Sequence, residues 1–265
     1  PEYKAHRPPM PEELAAQIEP LQQAIEALGW PVLTIAGVEA DDVIATLAEQ
    51  AKRDGWRCVI STGDKDLAQL VDARVTLVNT MSNETLDAEG VSRKFGVPPD
   101  KFVDYLALVG DAVDNVPGVE KVGPKTAAKW IAQYGSLDEV MARASEISGA
   151  VGENLRQVLD WLPKGKRLLT VKRDVELPVA LRDLEQKSLD PARLKALLGQ
   201  FGFKTWLSEL QGAAPAPQPA ETGRRKYFTL DDEKALAAWL KKMERAQLVG
   251  FDTETTGLEP MLARL

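Results

Sequence analysis

The sequence predicts an α/β fold in which a parallel sheet is covered by helices, and two features carry that prediction. Three short apolar runs rich in β-branched residues, PVLTIAG (31–37), RCVIST (57–62) and RVTLVN (74–79), read as strands. Helical periodicity separates or follows them, and this alternation suits parallel strands joined by covering helices.

Taken in order, DDVIATLAEQAKRDG (41–55) reads as a helix closed by Gly55. From residue 88 to about 210 the pattern turns almost wholly helical, with PPDKFVDYLALVGD and DPARLKALLGQFGF as clear cases. Residues 212–223, GAAPAPQPAETG, hold no apolar face to bury and read as a linker. Residues 224–265 then offer a strand, a helix and the second strand of another α/β unit. There is no internal repeat.

The 265 residues are 44% hydrophobic and 28% charged, enough to bury a sizeable core. A single cysteine, Cys58, and a single histidine, His6, exclude a disulfide framework and a His- or Cys-rich zinc site, so any metal must take oxygen ligands. Cys58 reads as a buried strand residue and His6 as a surface one. No apolar run approaches the ~18 residues that span a bilayer, so no membrane partner is expected. The chain opens on Pro1 in mid-pattern and stops soon after a new pattern has begun, so it reads as a piece of a longer protein.

A net charge of −7 argues weakly against a nucleic-acid partner. Its location argues otherwise. Seven carboxylates fall in three clusters: Glu39, Asp41 and Asp42; Asp64 and Asp66; Asp111 and Asp114. Setting those seven aside leaves the rest of the chain without net charge, free to form basic patches. Two clusters follow predicted strands, where ligand sites of open α/β sheets form. The i, i+2 spacing in GDKD points both acids one way on extended backbone, and the i, i+3 spacing in GDAVDN puts both on one helical face. Oxygen ligands without an EF-hand loop favour Mg²⁺ or Mn²⁺, and two such ions can clamp the attacking and leaving oxygens of a phosphodiester. Any one pair alone reads more readily as a helix cap or a solvated turn, and it is the three clusters together that carry the metal reading. Next, in DNVPGVEKVGPKTAAKWIAQYGSLDEV (114–140), Gly118 and Gly123 flank a tight hairpin. The helix from Thr126 to Tyr134 then presents N–H groups beside Lys125 and Lys129, an arrangement that binds phosphate without reading bases.

Four motifs in order, YKAHRPPMPEEL, GVEADD, STGDKDLAQLV and GDAVDNVPGVEKVGPKTA, resemble the 5′ nuclease domain of the bacterial family A DNA polymerases, part of the wider flap endonuclease family. The resemblance covers residues 1–211. It implies a parallel-sheet 5′ nuclease core with a helical arch and a helix-hairpin-helix at about 114–140, and a structure-specific 5′–3′ exonuclease and flap endonuclease activity. By it, Glu39, Asp41, Asp42, Asp64, Asp66, Asp111 and Asp114 match metal-binding acids for Mg²⁺ or Mn²⁺, two ions in all. Tyr3, Lys4 and Arg7 match the start of the arch. There Lys4 and Arg7 would steady the scissile phosphate as catalytic residues, and Tyr3 would stack on a base. Gly118, Gly123, Lys125, Thr126 and Lys129 would grip duplex backbone, with a K⁺ ion on main-chain carbonyls.

The tail LVGFDTETTGL resembles the first motif of a 3′–5′ proofreading exonuclease domain, Asp252 and Glu254 matching two metal ligands of an incomplete site. The resemblance also places the family's first strand and further aspartates upstream of Pro1, which puts the activity of this piece alone in doubt. The implied partner is double-stranded DNA with nicks, 5′ flaps or RNA primers. A monomer in the bacterial cytoplasm is expected. Two rivals are a non-catalytic DNA-binding module, for which seven clustered acids are a liability, and a metal-dependent phosphatase of the haloacid dehalogenase class, whose nucleophile motif should come first rather than last.

Overall fold

The computed structural model describes residues 4–5, 8–210 and 227–250. The chain divides into two compact units, 1–210 and 211–265.

In the first unit, β1 (Cys58–Ser61) and β2 (Val75–Asn79) pair in parallel, Cys58 opposite Val75 and Ile60 opposite Leu77. β3 (Glu84–Leu86) adds antiparallel to β2, a strand too short and too polar to stand out in the sequence. The order β1-β2-β3 puts β2 in the middle, so Val75 and Leu77 are buried, while edge strand β1 buries Ile60 and leaves Val59 68% exposed. The crossover from β1 to β2 runs through a 3₁₀ helix, Lys65–Leu70, whose Leu67, Ala68 and Leu70 point into the core.

Helices α1 (Glu12–Ala27), α2 (Ala40–Arg53), α3 (Ala88–Phe95), α4 (Phe102–Val109), α5 (Pro124–Tyr134), α6 (Leu137–Ala142), α7 (Gly149–Gln157), α8 (Leu162–Leu169), α9 (Pro191–Gln200) and α10 (Lys204–Leu210) complete this unit. α4 is apolar on nearly every side and therefore runs through the core, with Phe102, Leu106 and Leu108 buried and Phe102 edge-on to Phe95 at 4.8 Å. Its one acid, buried Asp104, is doubly satisfied. Oδ1 lies 2.6 Å from Lys166 Nζ of α8, and Oδ2 accepts the Leu137 N–H that opens α6. After α4 comes a two-stranded hairpin, β4 (Gly110–Asp111) against β5 (Val116–Pro117), held to α8 by the Trp161 indole N–H donating to Pro117 O. A smaller apolar cluster, Ala27, Leu194 and Leu198, joins α1 to α9.

Three expectations are corrected. Residues 31–37 form no strand, although the apolar run is present. A strand exists only against a partner, and here the chain runs as irregular backbone with none of its residues buried. Residues 227–230 likewise form no strand; in the second unit the described residues hold one helix, α11 (Glu233–Met243). The region after residue 88 is helical except for β4, β5 and an irregular stretch over 171–190 that contains only a short 3₁₀ turn, Leu181–Asp183. Cys58 lies on a strand as expected but is half-buried. Among the described residues, no helix is long and apolar enough to cross a membrane. Tyr3, His6, Arg7, the linker 212–223, Asp252 and Glu254 lie outside the described residues.

Candidate active site

Three chain segments carry six of the seven predicted acids into one cleft of about 540 Å³. Its lining is Glu39, Asp41, Asp64, Asp66, Asp111 and Asp114, with Lys4, Gly63, Lys65 and Val113. Glu39 is the N-cap residue of α2 and Asp41 lies in its first turn. Asp64 and Asp66 follow the carboxyl end of β1. Asp111 ends β4, and Asp114 lies in the turn before β5.

The local geometry differs from the one the spacings suggested. Asp64 and Asp66 do not share an extended segment: Asp64 caps the 3₁₀ helix, its Oδ1 accepting the Asp66 N–H at 2.9 Å. Capping and site formation coexist in one residue. Asp111 and Asp114 share no helical face either. They belong to a hairpin turn in which Asp111 Oδ1 accepts the Val113 N–H at 2.7 Å and Asn115 takes the left-handed conformation, φ 57°. Asp42 is the exception among the seven. It lines only a neighbouring cleft of about 310 Å³, shared with Glu39, Asp41, Asp66, Asp114 and residues 167–172, and its Oδ1 accepts the Lys172 N–H at 2.8 Å.

Two ammonium groups sit among the acids. Lys4 Nζ is 2.6 Å from Glu39 Oε2 and 3.8 Å from Asp114 Oδ2, and its backbone N–H donates to Asp114 O at 3.0 Å. Lys65 Nζ is 3.0 Å from Asp111 Oδ2. Lys65, the residue between the two acids of GDKD, is a site residue the sequence reading passed over.

Burial and the crowding of these carboxylates shift their proton affinities. Burial, then the charges of Asp64 and Asp111, push Asp66 up to about 7 against the pull of Lys65. Asp41 is raised by burial, then by Asp64 and Glu39. Asp111 goes the other way: burial would raise it, but the bond from Lys65 and the Val113 N–H hold it below the usual carboxylate range.

The donor set fits a hard divalent cation, since Oδ1 of Asp66 is buried without a hydrogen-bond partner and oxygen ligands surround it. Among the described residues no three His, Cys, Asp or Glu side chains close into a finished ligand set, and Lys4 and Lys65 pair with Glu39, Asp114 and Asp111.

The predicted phosphate-gripping segment separates into two parts. Gly118 is required by packing: a Cβ there would lie 2.3 Å from Val109 C, because β5 crosses the end of α4 backbone to backbone. Gly123 precedes α5 with no side-chain cap, and nothing lies within 4 Å of the Cβ it lacks. Pro124 starts α5, Thr126 is half-buried, and Lys125 and Lys129 stand exposed one turn apart, opposite buried Ala127, Trp130 and Ile131.

Residues 1–96 match the N-terminal resolvase-like domain of the 5′–3′ exonucleases, and residues 97–192 their C-terminal SAM fold. The T5 D15 protein co-crystallised with metal ions has a similar fold, with TM-score 0.57 and 21% identity over 81% of this chain and 79% of that one. The chain is 43% identical along its whole length to DNA polymerase I of Pseudomonas aeruginosa, of which it spans 30%. It is 39% identical to the 5′–3′ exonuclease of Aquifex aeolicus over 79% of this chain and 71% of that protein. With both domains matched and the acids of both brought to one cleft, the chain belongs to the 5′–3′ exonuclease family.

Proposed function

We propose that this chain is the 5′ nuclease part of a DNA polymerase I. It would hydrolyse phosphodiesters at 5′ flaps, nicks and RNA primers of double-stranded DNA with two Mg²⁺ or Mn²⁺ ions. The observation that carries the reading is the convergence of six carboxylates, one with an unpartnered buried oxygen, in one cleft.

Glu39, Asp41, Asp64, Asp66, Asp111 and Asp114 would hold the cations. When bound, such ions lower the pKa of water and offset the charge that develops on the phosphate. Lys4 is anchored through its backbone to Asp114 O, so its ammonium can exchange Glu39 for a phosphate oxygen without the chain moving. Arg7 would join it. Tyr3 would stack on an unpaired base. The side chains of Lys125, Thr126 and Lys129 and the Lys125 N–H at the start of α5 would take duplex phosphates, with Gly118 and Gly123 shaping the loop and a K⁺ ion on its carbonyls.

The test is release of a 5′-labelled strand from a 5′-flap duplex by the full chain and by its D64N and D66N variants. Asn keeps the capping geometry at position 64 and removes the charge. Mg²⁺-dependent cleavage that both variants abolish supports the reading. Cleavage insensitive to both overturns it, and metal-independent binding without cleavage reassigns the chain to a binding module.

A further inference from the structure

Residues 169–175, the last residue of α8 and the irregular stretch that follows it, are laced by side chains to α2 and to the 3₁₀ helix after β1, the elements that carry four of the site acids. From the 3₁₀ helix, buried Gln69 donates through Nε2 to Leu169 O at 3.0 Å and accepts the Val171 N–H at 3.1 Å. Its own carbonyl accepts from the Arg173 guanidinium at 3.1 Å. The same Nε2 lies 2.9 Å from Asp66 O. From α2, Asp42 Oδ1 accepts the Lys172 N–H at 2.8 Å, and buried Thr46 Oγ accepts the Val175 N–H at 3.1 Å while donating to Asp42 O at 2.7 Å.

We infer that residues 169–175 act as a strap fixing the spacing between the Asp41 and Asp66 carboxylates, and that Asp42, with Gln69 and Thr46, is a positioning residue rather than a cation ligand. Helical geometry requires some such division. Neighbours on a helix point about 100° apart, so Asp41 and Asp42 cannot both face the cleft squarely. Asp41 lines the six-acid cleft and Asp42 does not. The bond Asp42 makes needs an acceptor oxygen, not a charge, which separates its role from that of a ligand.

The inference rests on the cation reading above, and its test separates the two. Mn²⁺ affinity of the full chain is measured by calorimetry for the parent, D41N, D42N and D42A, and exchange of the Lys172 amide is followed by NMR without metal. Asn at 42 still accepts the Lys172 N–H. D42N is therefore expected to keep Mn²⁺ affinity within about threefold of the parent, and D42A to weaken it about tenfold, as loss of ligand support does elsewhere. D41N should weaken it more than either. Lys172 exchange should quicken in D42A and not in D42N. Equal loss of affinity in D42N and D41N overturns the positioning role and leaves the cation site standing. A parent that binds no Mn²⁺ overturns the cation reading and this role with it, even where the exchange pattern is as expected.

Discussion

Lys65 Nζ lies 3.0 Å from Asp111 Oδ2, a half-exposed ammonium against a carboxylate only 4% exposed. The pair offsets a buried charge in the place where the proposed cation would do the same. K65M should therefore lower the melting temperature of the metal-free chain, by the equivalent of about 1 kcal/mol after allowing for the solvent around Lys65. Added Mn²⁺ should then raise the melting temperature more in K65M than in the parent, because the ion no longer competes with an ammonium. Equal shifts in the two proteins would contradict this.

Asp66, pushed up to about 7 by burial and its acidic neighbours, links stability to pH. Its carboxyl binds a proton more tightly in the folded than in the unfolded chain, where a value of about 3.9 applies. Its contribution is complete below the unfolded value and is lost as pH rises through about 7. In EDTA, the urea midpoint should fall between pH 5 and pH 8, and D66N should flatten that slope.

The Lys52–Asp72 pair, 2.7 Å apart, has the opposite acid-side sign. Burial would raise Asp72, but Lys52 and the Arg74 and Val75 N–H groups hold it below the ordinary range. Its contribution is present above the unfolded carboxyl value and lost as pH falls through the lower folded one. Lys52 is raised chiefly by its bond to Asp72, so its share persists at neutral pH and is lost only as alkali titrates it above the ordinary lysine value. D72N should thus be less stable than the parent at pH 7, and the gap should narrow as pH falls below the ordinary carboxylate range, as read by urea midpoints.

Asp104 is the buried joint between α4, α6 and α8. Its removal leaves the Leu137 N–H without its acceptor and Lys166 with only Asp138, 3.9 Å away. D104A should cost about 3 kcal/mol in equilibrium unfolding. A cost below about 1 kcal/mol would show that water replaces the carboxylate.

The two loop glycines should separate cleanly. G118A forces a Cβ into Val109 and should cost more than about 2 kcal/mol of stability. G123A meets nothing, so its stability should stay within about 0.5 kcal/mol of the parent. If duplex backbone passes over Gly123, as proposed, G123A should nevertheless weaken DNA affinity, measured by fluorescence anisotropy at fixed salt.

The sequence by itself determined the elements in which local pattern and burial agree. α2, β1, β2, α4 and α9 stand where their periodicity put them, and the acid inventory needed no coordinates. Tertiary structure decided what depends on a partner. Residues 31–37 have the composition of a strand but pair with no strand among the described residues, so Val32, Leu33 and Ile35 are only half-buried. Asp111 and Asp114 reach the cleft through a hairpin turn, where β4 pairs with β5 and Trp161 ties Pro117 to the start of α8. Lys65 and Gln69 went unread in the sequence, because nothing local marks a residue whose partner lies at Asp111 or Leu169. Asp41 and Asp42 are the sharpest case. Adjacent and identical in sequence, they are parted by the turn of a helix, one lining the six-acid cleft and the other bound to the Lys172 N–H.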